Sequence, residues 1–192
     1  MKPNNTIVRK RQKIDNTPPP SELRIELLSW LKTIVLAFVF AYIITQHVIV
    51  NAWVPSGSME RSIMTGDRVV AFRLSYLFSS PERMDIIVFR FPDDESKLFV
   101  KRIIGMPGET VNIIDGKVYI NDAVLPLYDS FVFYEDFGSY GPFFVPDGHY
   151  FMLGDNRSNS EDSRGWNNPF VSSEKILGRV IFKYYREFSF IS

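Results

Sequence analysis

The chain has 192 residues, with 22 Lys and Arg against 22 Asp and Glu, 45% hydrophobic residues and no cysteine. Balanced charge leaves no broad basic field for nucleic acid, and the lack of cysteine excludes disulfides, a thiol nucleophile and thiolate metal sites. Length and apolar content suffice for one domain of moderate size with a buried core.

Residues 1–26 read as a polar, basic tail carrying Arg9, Lys10, Arg11 and Lys13, and Pro18, Pro19 and Pro20 forbid a continuous helix through it. Ser21 is placed to cap a new helix, with Glu22 and Glu26 near its positive end. Residues 27–50 read as a transmembrane anchor. Thr33 to Val50 carries no formal charge with His47 neutral, and Ile34 to Ile44 is apolar throughout, which meets the roughly 20 residues a span requires. Lys32 can snorkel from the inner end. Trp30 and Trp53 flank the run, and on a helix they would stand about 35 Å apart, the spacing of two interfacial belts. The length argues against a soluble core helix, and Trp53-Val54-Pro55 in place of small residues argues against a cleaved leader. The positive-inside rule puts the tail in the cytoplasm and residues 51–192 outside the cell membrane, on a single-pass protein.

The remainder reads as strands, in keeping with 17 Phe and nine Tyr. Apolar or alternating runs cover Arg68–Tyr76, Met84–Phe91, Leu98–Ile104, Val111–Ile114, Lys117–Ile120, His149–Leu153 and Ile176–Tyr185. Asp115-Gly116 marks a two-residue hairpin. Pro81-Glu82, the acidic run 93–95, Met106-Pro107-Gly108 and Pro146-Asp147-Gly148 read as loops. The expected fold is a single N-terminal transmembrane helix followed by a mostly β extracytoplasmic domain, antiparallel and partly closed.

Val54-Pro55-Ser56-Gly57-Ser58-Met59 follows the anchor directly, and Ser58 is the candidate nucleophile. Only His47 and His149 could complete a Ser-His-Asp triad, and Asp147 alone stands near enough in sequence to orient one of them, His149. No metal-ligand cluster is present, and residues 155–162 lack the third-position oxygen, turn glycine and closing glutamate of a calcium loop. No cofactor or metal is expected. A serine without histidine needs another base, and lysine is the usual one, provided its pKa falls to roughly 7–8. Lys101, in Leu98-Phe99-Val100-Lys101-Arg102-Ile103-Ile104, shares a strand face with Phe99 and Ile103. If that face is inward the lysine is desolvated; if the strand is an edge, Lys101 guards it against aggregation. The pattern leaves both readings open.

Four segments in order carry a resemblance. They are Pro55-Ser56-Gly57-Ser58-Met59, Gly66-Asp67-Arg68-Val69-Val70, Asp85–Phe89 through Lys101–Glu109, and Gly154–Arg164. With the anchor ahead of them, the chain resembles a bacterial type I signal peptidase (leader peptidase), in the single-anchor form typical of Gram-positive bacteria. The resemblance implies a membrane-bound Ser-Lys endopeptidase that removes signal peptides from exported preproteins, cutting after Ala-x-Ala-like sites. It implies Ser58 as nucleophile, Lys101 as general base, and Ser56 with the Ser58 N–H as oxyanion donors. It further implies Ser160 as the residue orienting the lysine, and Arg102, Asp155, Asp162 and Arg164 as structural ion pairs. Met59 and Ile63 are expected to line the substrate pocket, and Val54 to lie on the strand with which substrate pairs. The expected partners are preproteins and the lipid bilayer, with no nucleic acid, and the protein is expected to be a monomer. Two other classes remain: a catalytically inactive membrane-tethered β module, and a self-cleaving Ser-Lys repressor-type protease, against which the anchor argues. The chain departs from the family's Met-x-Pro-Thr-Leu at Met59-Glu60-Arg61-Ser62-Ile63, and has Ser158 and Glu109 where Asp is common.

Overall fold

The computed structural model describes residues 20–185 and 187–191, residues 20–23 by backbone alone. The basic run and Pro18-Pro19 lie outside the described residues. The chain divides into a unit ending at Tyr42 and a second unit from Ile43 onward.

The first unit is built on one helix, α1 (Pro20–Ile43). It starts at Pro20, one residue ahead of the expected cap Ser21, because proline's fixed φ suits the first helical position, where no N–H partner is required. Every described side chain from Arg24 to Ile43 is exposed, although most of them are apolar. The stretch Arg24–Val48 is long and apolar enough to cross a membrane, and a helix satisfies its own backbone there.

The second unit opens with a π-helical turn, Ile44–Val48, and then β1 (Ile49–Trp53). Ile49, Val50 and Trp53 therefore lie on a strand. The helical spacing expected between Trp30 and Trp53 does not apply, and the apolarity of Val50 serves the core, where it is buried. The main sheet runs β1, β2 (Arg68–Phe72), β10 (Ile176–Tyr184), β3 (Ile86–Phe91), β4 (Asp94–Gly105), β8 (His149–Leu153) and β9 (Phe170–Ser172), with β11 (Ser189–Phe190) paired to β10. All its pairings are antiparallel. The path is open, with β1 and β9 at its ends. A smaller antiparallel sheet holds β6 (Lys117–Ile120), β5 (Thr110–Ile114) and β7 (Tyr140–Phe144). Asp115 and Gly116 join β5 to β6 with φ of 48° and 78°, the double left-handed turn that matches strand twist.

Two predicted elements end differently. The run 68–76 leaves the strand after Phe72 and closes in a short 3-10 helix, Arg73–Tyr76. The acidic run 93–95 is not a free loop: Asp94 and Glu95 begin β4, and Asp93 accepts the backbone N–H groups of Asn167 and Asn168, each at 2.9 Å. Core packing explains the long apolar runs. On β3, Ile86 and Val88 pack into one cluster with Val69, Ala71 and Val180, while Ile87 and Phe89 pack into another with Ile103, Met152 and Trp166. A strand buried on both faces needs apolar residues at consecutive positions, and β4, paired between β3 and β8, meets the same demand.

Candidate active site

Lys101 lies within β4, opposite Ile87 of β3, and the next residue, Arg102, pairs with both Ile86 and Leu153. Lys101 is thus the last residue before β8 joins β4, but its side chain is buried rather than turned to solvent, so the edge-guard reading fails. Lys101 is 4% exposed, as is Ser58. The Lys101 ammonium donates to Ser58 Oγ at 2.5 Å, and Ser56 Oγ stands 3.3 Å from the same oxygen. Burial pushes the lysine down from 10.5 to about 8, against the opposing pull of Asp162, Glu161 and Asp155. At that value roughly a tenth of the lysine is neutral at pH 7.

Two loops hold the serine in place. Residues 54–67 fold back on themselves: Val54 N–H donates to Asp67 O at 3.0 Å, Gly66 N–H to Val54 O at 2.7 Å and Ile63 N–H to Met59 O at 2.7 Å. Met59 and Ile63 pin this loop from beneath, both fully buried. From the other side, Asn156 N–H donates to the Ser58 carbonyl at 3.0 Å. Gly154 permits that approach, since a Cβ there would collide with Ser160 Oγ and the Ser58 carbonyl. Ser160 thus packs beside the Ser58 backbone. Its Oγ is buried without a hydrogen-bond partner among the described residues.

Two ion pairs brace these loops. Arg102 grips Asp155 through two hydrogen bonds of 2.9 and 2.8 Å, donates to Met84 O and stacks 4.1 Å over Phe131. Arg164 grips Asp162 at 2.8 and 2.9 Å and reaches Asp136 at 2.6 Å, while Asp162 accepts the Gly154 N–H. The segment that departs from the family pattern is tied into the same frame. Ser62 Oγ donates to Asp155 at 2.5 Å, and Glu60 accepts from Asn156 Nδ2 at 3.2 Å and from Thr65 at 3.1 Å. Arg61 sits at φ 83° with its guanidinium 5.3 Å from the Phe133 ring centroid. Sequence reasoning passed over Ser62 and Asp136. A hydroxyl four residues before the Gly66-Asp67 turn carries no motif signal, and Asp136 lies in an aromatic loop with no strand pattern.

A cleft of about 380 Å³ opens beside Ser58 and Lys101, walled by Trp53, Val54, Leu98, Phe99 and Val100. Two strand edges face it. β1 has a partner only in β2, and β8 pairs with β4 only from Arg102 onward, leaving Leu98–Val100 without a neighbour on that side. Of the predicted substrate-binding residues, Val54 reaches the wall, but its own N–H and C=O are committed to Asp67 and Gly66. Strand alternation turns the Trp53 backbone groups outward instead. Met59 and Ile63 do not reach the wall; as fully buried core residues they support the loop rather than line the cleft. Neither His47 nor His149 contributes to the cleft.

Residues 27–185 match the profile of the family described as signal peptidase, peptidase S26. A probable signal peptidase I-2 from Synechocystis sp. is 38% identical over 188 residues, spanning 93% of this chain and 81% of the relative. A signal peptidase I from Leptolyngbya laminosa is 36% identical, spanning 83% and 80%. The crystal structure of a signal peptidase I from Enterococcus faecalis V583 shares 34% identity with a TM-score of 0.44, covering 53% of this chain and 97% of that one. The chain belongs to the signal peptidase family, peptidase S26. It is a serine protease of the signal peptidase I kind, the class that removes signal peptides.

Proposed function

We propose that the chain removes signal peptides from exported preproteins with a Ser58–Lys101 dyad. The observation that carries this reading is the 2.5 Å approach of Lys101 Nζ to Ser58 Oγ in a buried setting that lowers the lysine's pKa. Neutral Lys101 takes the Ser58 hydroxyl proton as Oγ bonds to the scissile carbonyl carbon. The Ser56 hydroxyl and the Ser58 N–H receive the oxyanion, each such donor worth about 3–4 kcal/mol in comparable sites. The lysine then passes its proton to the departing amine, the new N-terminus of the mature protein, and the C–N bond breaks. A water deprotonated by Lys101 attacks the acyl ester and frees the signal peptide's carboxylate and Ser58. In this scheme the two ion pairs, Arg102–Asp155 and Asp162–Arg164, keep the loops in register, while Ser160, expected to orient the lysine, makes no hydrogen bond to it.

Substrate enters as an extended strand between the outward edges at Trp53 and Leu98–Val100, adding main-chain hydrogen bonds to both. The family resemblance suggests cleavage after an Ala-x-Ala-like site. Residues 1–26 face the cytoplasm, the apolar stretch from residue 27 to Val48 anchors the protein, and the β domain from Ile49 works outside, where tethered precursors present their cut sites. A synthetic precursor with an Ala-x-Ala site, incubated with full-length protein in detergent, is cleaved at that site by the wild type and left intact by Ser58→Ala. Equal cleavage by Ser58→Ala rejects the nucleophile. Digestion of residues 51–192 by protease added to spheroplasts tests the orientation, and full protection of that region rejects it.

A further inference from the structure

A second cavity, about 470 Å³, shares no lining residue with the cleft at Ser58. Arg73, Tyr76, Ser80, Tyr150 and Ser173 face it, and none of the residues lining it is a carboxylate. Arg73 Nε is shielded from solvent and has no hydrogen-bond partner among the described residues. Asp85, just ahead of β3, is already engaged. It accepts from the Tyr76 hydroxyl at 2.8 Å and the Glu82 N–H at 3.1 Å, and pairs with Arg179 at 3.1 Å. Leaving a guanidinium N–H shielded and unpaired is unfavourable. A planar guanidinium surrounded by hydroxyls, with no competing carboxylate, is the donor set of a phosphate group.

The surroundings indicate where such a phosphate comes from. The 3-10 helix that carries Arg73 and Tyr76 packs against the π-helical turn Ile44–Val48, which is the last stretch of the candidate membrane span. Directly after Tyr76, Leu77 is 63% and Phe78 97% exposed, so two large apolar side chains stand free beside the cavity. Where a span leaves the hydrocarbon, headgroup phosphates and acyl chains lie side by side.

We propose that this cavity holds the phosphate of an anionic phospholipid, with Arg73 as its charged contact and Leu77 and Phe78 against the acyl region. The lipid source rests on the membrane-span reading above; the phosphate chemistry does not. The test is native mass spectrometry of the full chain in neutral detergent, titrated with phosphatidylglycerol or phosphatidylcholine. Phosphatidylglycerol retention falls about tenfold in Arg73→Ala, is partly regained in Arg73→Lys, and phosphatidylcholine retention is the same in all three. Ser80→Glu, at an exposed rim position, places a carboxylate in the cavity and abolishes the same retention, which decides the matter if Arg73→Ala fails to fold. Ser58→Ala retains lipid like the wild type, so failure of the protease assignment leaves this result standing. Inorganic phosphate, read by thermal unfolding, separates the sources. If it stabilises wild type but not Arg73→Ala, and lipid retention is independent of Arg73, the lipid source is overturned in favour of a soluble phosphate. Arg73-independent behaviour in both arms, with Ser80→Glu unchanged, overturns the site.

Discussion

Lys101 and Arg102 are neighbours on β4, both buried, and their charges are treated in opposite ways. Arg102 meets Asp155 with two hydrogen bonds, a carbonyl on one side and an aromatic face on the other. Lys101 is given a hydroxyl instead of a carboxylate and is held near the Phe99 ring, 5.5 Å from its centroid. Paired, a buried cation stays charged and becomes a strut. Left without a carboxylate in contact, its pKa falls toward neutrality, which is what the proposed general base requires. One strand can present both because its two faces meet different loops: the nucleophile loop at Lys101 and the 154–156 turn at Arg102.

The sharpest way to break this contrast is Lys101→Met. Precursor cleavage falls by about 10⁴-fold, the upper end of what a general base supplies, while stability moves the other way. The folded lysine titrates at about 8 against 10.5 when free, so its charged form opposes folding in full below about 8, and the penalty fades as pH rises from there to 10.5. Lys101→Met therefore gains about 3 kcal/mol at pH 7, and the gain shrinks toward zero near pH 11. Denaturant titrations of the full chain in micelles at the two pH values check this. A variant less stable than wild type at pH 7 would sink the picture of a desolvated base.

Arg102→Met should do the reverse. It leaves Asp155 buried and unpaired, and comparable buried pairs lose about 3–4 kcal/mol when one partner is removed. Cleavage drops only as far as the Asn156–Ser58 backbone contact loosens. If Arg102→Met instead matched Lys101→Met in stability, the two cations would not differ in the manner argued.

Ser62→Ala is milder. It takes one hydrogen bond from Asp155 and leaves the bidentate grip of Arg102 intact, a change of about 1–2 kcal/mol. Threonine at the same position, which keeps the hydroxyl, restores the midpoint of denaturation. If Ser62→Thr proves as unstable as Ser62→Ala, the hydroxyl is not what matters there.

Much of this contrast could be read from the chain itself. A lysine between Phe99 and Ile103 in a strand-like run announces a cation in apolar surroundings, and Ser58 just past an apolar run of membrane length announces its location. Pattern could not say whether β4 was an edge or an interior strand. That depends on β8, which arrives some fifty residues later. The substrate wall was misassigned for a related reason: Met59 and Ile63 are apolar whether they face a cleft or a core, and only packing distinguishes the two. Strands β9 and β11 escaped because they are short, and β7 because it carries Gly141 and Pro142. The role of Ser62 was hidden because its partner Asp155 lies ninety-three residues away.

The smallest effect concerns the acids that face the lysine. Asp162, Glu161 and Asp155 all raise Lys101 against the stronger effect of burial. Asp162 and Asp155 are committed to arginines, but Glu161 is exposed at the cleft and can be changed without breaking a strut. On the proposed dyad, the wild-type rate needs neutral lysine and is expected to rise with pH through about 8. Glu161→Gln removes a charge that favours the ammonium, so the acid limb of the kcat/KM profile moves to lower pH. Because Glu161 is exposed, salt screens its influence, and the displacement is largest at low ionic strength and closes as salt is added. A limb that stays put at low salt, or moves to higher pH, would mean that another group sets the rising limb and that Lys101 is not titrating as the base.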